Sequence, residues 1–97
     1  MPPTVIYENF EWDTEKRITN REKHLGVDFQ VAIRIFEGRV SERHDDRHNY
    51  GEERFQAVGS HDGRIYFVVF TRGDGRLRIL SARIANGRDK ASFAPQA

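Results

Sequence analysis

The apolar residues of this chain change their spacing about halfway along it. Residues 1–9 carry little pattern and read as a loose lead-in to a short apolar anchor, Phe10-Glu11-Trp12. Asp13 follows where an N-cap belongs, its carboxylate placed to accept from the unpaired amides of a first helical turn. It predicts a helix from Thr14 to about Lys23. Ile18 is the only large apolar residue inside that helix, so Trp12, Ile18 and Leu25 are expected to hold it down. Gly26 breaks it, and Asp28 caps a second helix from Phe29 to about Glu37. There Phe29, Ala32, Ile33 and Phe36 fall at i, i+3, i+4 and i+7, one apolar face. Gly38 is expected to close it in a left-handed conformation.

Beyond Gly38 the period becomes two. A weak strand near Arg39–Arg43 runs into a polar loop, His44–Tyr50. Arg54–Gly59 reads as a strand and Asp62-Gly63 as a hairpin turn. Arg64–Thr71 is apolar on both faces, as a central strand is. Gly73-Asp74-Gly75 makes a second turn into the alternating strand Arg76–Arg83, and Asn86-Gly87 marks a break or a helix start. The elements predict a single α+β domain over residues 1–97. Two N-terminal helices pack on a three- to four-stranded antiparallel sheet, with a short C-terminal helix.

Composition adds three constraints. No run approaches the ~18 apolar residues of a membrane helix, and Met1-Pro2-Pro3-Thr4 lacks the basic and apolar regions of a secretory signal. A cytoplasmic protein without a membrane partner is expected. The absence of cysteine excludes disulfides, thiolate metal sites and thiol nucleophiles. The net charge of +1 conceals an asymmetry: residues 1–63 sum to −4 and residues 64–97 to +5. Arginine supplies 13 of the 16 basic residues, and its planar fork of donors suits phosphate and RNA.

Several constellations are candidates for chemistry. Arg17, Arg21 and His24 fall at i, i+4 and i+7 on one face of the first helix, flanked by Lys16 and Lys23. Arg76 and Arg78 share one sheet face, whereas Arg83 has the parity of Leu77 and Ile79, the core side. An arginine there is either ion-paired with a carboxylate or aimed into a cleft at the sheet edge. Within the strand set Arg54, Arg72, Arg76, Arg78 and Arg83, the functional reading of Arg83 is a phosphate clamp, with Glu53-Arg54 opening the neighbouring run. The cluster His44, Asp45, Asp46, His48, His61 and Asp62 has metal-ligand chemistry but lies on a loop and a hairpin tip, so no metal or other cofactor is expected. A metal-dependent hydrolase built on His44, Asp46 and His48 is the rival reading. Ser41, Ser60, Ser81 and Ser92 stand in no nucleophile-elbow motif.

Three blocks in order carry a resemblance. Phe10-Glu11-Trp12-Asp13, Lys16 and Asn20-Arg21-Glu22-Lys23-His24 lead into Gly26-Val27-Asp28-Phe29. Asp45-Asp46-Arg47-His48 through Tyr50-Gly51-Glu52-Glu53-Arg54-Phe55 with Val58-Gly59 comes next, then Arg78-Ile79-Leu80-Ser81-Ala82-Arg83 with Ala85. Together they resemble the BrnT family of toxins from type II toxin–antitoxin pairs. The resemblance implies a RelE-like fold and a metal-independent endoribonuclease in which the ribose 2′-OH is the nucleophile, inhibiting translation and growth. It implies catalytic roles for Lys23, His24, Arg54, Arg83 and Asp89, and RNA contacts from Arg17, Arg21, Arg76, Arg78, Arg88 and Lys90. It also implies a BrnA-like antitoxin partner in a two-plus-two heterotetramer, with operator DNA reached only through the antitoxin. Departures from the family pattern are an extra Leu25, and Asp89, Lys90 and Phe93 where the family ending has glutamate, arginine and tyrosine. They leave a second reading open, a toxin-fold module that binds antitoxin or RNA with weak cleavage or none.

Overall fold

The computed structural model describes residues 3–47 and 51–93. Its strands are β1 (Thr4–Tyr7), β2 (Phe10–Asp13), β3 (Val40–Asp45), β4 (Arg54–His61), β5 (Arg64–Gly73) and β6 (Arg76–Ile84). Its helices are α1 (Thr14–Lys23), α2 (Phe29–Ala32), which runs on into a 3-10 helix at Ile33–Glu37, and α3 (Gly87–Ser92). All six strands form one sheet in the order β1-β2-β6-β5-β4-β3. Neighbours are antiparallel except β2 and β6, which run parallel.

This mostly β, mixed sheet with three small helices replaces the expected α+β plan of two helices on three or four antiparallel strands. Two features account for the difference. The lead-in and the apolar anchor are a hairpin: Val5 faces Trp12 and Tyr7 faces Phe10, an alternation too short to stand out in the sequence. The second helix is split because Val31, Ile33 and Ile35 are β-branched and crowd an α-helix. Past Ala32 the turn tightens, which stacks residues three apart, and Phe29, Ala32 and Ile35 are all 0% exposed. Gly38 follows in an extended conformation, φ −115 and ψ −157, not the left-handed one.

The hairpin turns behave as their sequences require. Asp62 and Gly63, and again Asp74 and Gly75, hold successive positive φ values, the geometry that matches strand twist. The sheet is apolar on both faces. One face packs Trp12, Val68, Phe70 and Ile79 against Phe29, Ile33 and Ile35. The other gathers Val58, Phe67, Val69 and Ala85, with Leu80 and Phe93 against them.

One irregularity decides where β6 aims its side chains. Val69 faces Ser81 and Phe70 faces Ile79, so Leu80 is left over in β6. An extra residue reverses the alternation beyond it. Arg83 therefore does not share the face of Leu77 and Ile79, as its parity suggested, but lies opposite Phe67 on the other face.

Helix α1 is held down differently from expectation. Ile18 is 50% exposed and Leu25 is 96% exposed, so neither anchors it. Trp12, fully buried and 6.0 Å edge-on from Phe29, secures the N-terminal end. The other anchor is polar. Buried Asn20 donates from Nδ2 to the carbonyls of Ala82 (2.8 Å) and Val27 (3.1 Å), and its Oδ1 accepts from the Ala82 amide (3.0 Å). Asn20→Ala orphans one amide and two carbonyls, each costing ~1–3 kcal/mol when buried unpaired. A urea titration is expected to show a loss of at least ~2 kcal/mol. A loss under ~0.5 kcal/mol would mean that water replaces the side chain.

Candidate functional site

Asp13 starts α1 by accepting from the amides of Glu15 (2.8 Å) and Lys16 (3.3 Å). The helix unwinds at His24, and Leu25 and Gly26 follow at φ 56 and φ 81. Those two left-handed residues turn the chain away and leave Lys23 and His24 at the helix end. Because Asn20 ties the same helix to β6, its Lys16, Thr19, Asn20, Lys23 and His24 side lines a groove of about 250 Å³ with Leu80 and Ser81. A second depression of about 260 Å³ adjoins it, lined by Lys23, His24, Leu25, Arg83, Ile84 and Asn86. Lys23 and His24 belong to both.

Arg83 is fixed before any ligand arrives. Its two terminal nitrogens donate to the two carboxylate oxygens of Asp89, one of these bonds being 3.1 Å long. Its guanidinium also lies 4.1 Å from the centre of the Phe67 ring. Asp89 is placed by the start of α3. Its amide donates to Asn86 Oδ1 (2.8 Å), and its Oδ2 accepts from the Asn86 amide (2.9 Å), a reciprocal cap. Of the two alternatives for Arg83, the ion pair forms, and the same residue also lines the second depression.

Electrostatics follow from this packing. Burial, then the charges of Lys23 and Arg83, push the His24 imidazole below its ordinary value. It is neutral at pH 7 and able to accept a proton there. For Asp89, burial alone would raise the carboxyl. The bonds from Arg83 and the Asn86 amide reverse that, and it lies below the ordinary carboxylate range.

The other residues singled out in the sequence are spread over the surface. Arg17 turns away from the groove and donates to both oxygens of Asp28 at 2.7 and 2.8 Å. Arg21 lines a separate depression with Ile18, Glu22 and Gly26, so the Arg17–Arg21 stripe and the groove occupy different sides of α1. Arg54 opens β4, two strands from β6 and across from Asp45, with its Nε 3.4 Å from a Glu52 oxygen. Arg78 pairs with Glu11 at 2.7 Å, and Arg76 closes the β5–β6 hairpin opposite Gly73. Arg88 is exposed on α3, and Lys90 lines a depression with Gly63, Arg64, Ile65 and Ile84.

Lys16, Ser81 and Asn86 were not among the predicted site residues. Lys16 was legible at seven residues from Lys23, and the Asn86-Gly87-Arg88-Asp89 cap was legible as a motif. Ser81 depends on the bulge and was not. Of the ligand-type cluster, His48 lies outside the described residues. Asp45 is buried and its carboxylate is taken by Arg47, while His44 packs its ring 5.3 Å from that of Phe55. Among the described residues no three histidine, aspartate or glutamate side chains converge.

His24 thus stands with Lys23 and the tied-down Arg83 at two adjoining depressions beside β6. Residues 12–89 match the family of the ribonuclease toxin BrnT of type II toxin–antitoxin systems, and the chain belongs to that family. Its family is one of ribonuclease toxins, and a type II system supplies an antitoxin partner. No curated protein matches the chain. None of the helices among the described residues is long and apolar enough to cross a membrane.

A titration of the His24 ring by NMR is expected to give a midpoint below the ordinary histidine value of ~6.5. Arg83→Gln removes a cation and leaves Asp89 uncompensated, so the midpoint should rise. An unmoved midpoint would show that Arg83 does not act on the ring.

Proposed function

We propose that this chain cleaves RNA without a metal ion, using the ribose 2′-OH as nucleophile and His24 as the base. The observation that carries the reading is the meeting of neutral His24 with Lys23 and Arg83 across two adjoining depressions. His24 takes the 2′-OH proton as the oxygen attacks the adjacent phosphorus. The P–O5′ bond breaks and the 5′ oxygen takes a proton from solvent. The products are a 2′,3′-cyclic phosphate and a 5′-hydroxyl end. Lys16, Lys23 and Arg83 stabilise the charge that builds on the non-bridging oxygens. Arginine carries five N–H donors and Asp89 engages two, so the rest remain for phosphate. Asp89 is a positioning residue that holds the guanidinium ready.

In this reading Arg54 contacts the RNA backbone away from the reacting phosphorus, because it starts a strand two places from β6. Arg21, Arg76, Arg78, Arg88 and Lys90 contribute further backbone contacts, and Arg17 serves the fold through Asp28. Destruction of cellular RNA stops translation and growth in the cytoplasm. A BrnA-like antitoxin with carboxylates and an apolar segment covers the groove. Leu25 and Ile84, 96% and 39% exposed, give that segment an apolar rim among cations. Assembly is two plus two, with operator DNA bound by the antitoxin.

His24→Ala is expected to lower the rate about 10²–10⁴-fold, the usual contribution of a general base. Activity should persist in EDTA. The acid limb of the wild-type rate profile should fall below the ordinary histidine range, because the depressed value keeps the base form available to lower pH. Purified chain that binds RNA and antitoxin but leaves RNA uncut would favour the binding-module reading. Loss of activity in EDTA with rescue by zinc would overturn the metal-free mechanism.

The covering model has its own test. Association with the antitoxin should weaken as salt rises, since opposed charges act over about a Debye length of ~8–10 Å. Lys23→Glu and Leu25→Asp should each weaken it in a pull-down. Undiminished association of both variants would move the interface elsewhere.

A further inference from the structure

The face of the sheet that carries Arg83 holds a second fixed arginine. Arg43 sits on the edge strand β3 and is exposed, yet its side chain is engaged at three points. Its Nε donates to Gln56 Oε1 at 2.8 Å, its Nη1 donates to Ser92 Oγ, and its guanidinium lies 4.2 Å from the centre of the Phe93 ring. Gln56 is buried at 2% exposure on the neighbouring strand β4. Its amide is thus held by the packing around it and presents its oxygen to Arg43. A buried amide is a firm support for an exposed arginine, whose flexible chain ordinarily costs entropy to fix.

The arrangement repeats that of Arg83. One guanidinium lies over Phe67, the other over Phe93, and the two rings meet edge to face at 6.1 Å. α3 stands between them, giving Asp89 to Arg83 and Ser92 to Arg43. Across the sheet, Arg43 lies in one row with Gln56, Val69 and Ser81, and Ser81 lines the groove beside Lys23 and His24. Three strand spacings separate the ends of that row, ~14 Å.

We infer that Arg43, held over Phe93 and positioned by Gln56, is a nucleobase subsite that grips the RNA at a fixed remove from the scissile phosphate, three strand spacings (~14 Å) across the sheet. A guanidinium plane held against an aromatic ring offers its outer face to a base, as arginine planes do with unstacked bases in single-stranded RNA. Its unused N–H donors point at the base edge or the neighbouring phosphate. The subsite rests on the ribonuclease reading given above and adds to it a requirement for an unstacked base at a fixed distance from the cut.

The test uses the full chain and a single-stranded oligoribonucleotide with a 2′-O-methyl group at the mapped cleavage position, so that binding is read without cleavage. Arg43→Ala and Arg43→Lys are compared with wild type by fluorescence anisotropy, and Gln56→Met tests the support from the buried amide. Both Arg43 variants should weaken binding about 5- to 150-fold, the usual effect of losing one stacked base. Lysine keeps the charge but not the plane, so it should not rescue. Single-turnover cleavage at saturating chain should change less than about two-fold, because Arg43 acts on binding. Abasic sites placed one position at a time along the oligonucleotide should find one position, removed from the cut, that erases the difference between wild type and Arg43→Ala.

Rescue by lysine would overturn the stacking role in favour of charge alone. Unchanged binding in both Arg43 variants, with wild type cleaving RNA, would overturn the subsite and leave the ribonuclease reading intact. Variants that bind RNA normally but lose the antitoxin would reassign the surface to the protein partner. Wild type that neither binds nor cuts RNA would remove both readings together. Gln56→Met should fall with the Arg43 variants while its thermal midpoint is followed separately. If it folds and binds as wild type, the buried amide is not what positions Arg43.

Discussion

The placement of α1 depends on one buried amide. The helix has almost no apolar face of its own, and its two largest aliphatic neighbours, Ile18 and Leu25, are in water. Asn20 replaces them. It completes the hydrogen bonding of Ala82 on β6 and takes the carbonyl of Val27 on the returning chain, so three segments are joined through one side chain. An apolar residue would bury more surface but would leave Ala82 and Val27 unpaired. Hydrogen bonds are directional, so the clip also fixes the rotation of the helix. That rotation is what turns Lys16, Lys23 and His24 toward β6, and Arg17 toward Asp28.

A similar economy governs the opposite side of the groove. α3 is only 6 residues long and buries little, yet it determines where Arg83 points. Its cap and its ion pair use the same carboxylate: Asp89 closes the first turn with Asn86 and receives Arg83. Loss of Asp89 would therefore loosen the helix start and release the arginine together.

The charge asymmetry of the sequence is offset by folding at two points, where Arg72 meets Glu42 and Arg78 meets Glu11. Arg17, Arg34 and Arg54 pair instead within the N-terminal part, and Arg83 pairs within the C-terminal part. Exposed pairs of this kind are worth ~0–1 kcal/mol each, so they shape the surface more than they stabilise it. Among the described residues no ion pair involves Lys16 or Lys23. The groove thus holds two lysines outside any such pair, in a chain whose basic residues are mostly arginine.

Local signals determined what local physics controls. The cap at Asp13, the helix Thr14–Lys23, both Asp-Gly hairpins and the central strand β5 were legible because caps, positive φ values and continuous apolar runs act over a few residues. The family, which the match over residues 12–89 shows, was legible for the same reason, from short residue blocks. Tertiary structure decided the rest. The β1–β2 hairpin exists because β6 offers an edge for Phe10 and Glu11 to join, a long-range pairing with no signature in a four-residue strand. The split of the second helix follows from fitting Ile35 as well as Ile33 against the sheet. Above all, the extra residue at Leu80 moves Arg83 from one face to the other. Parity along a strand is exact only while the register holds, and a register is a property of two strands together.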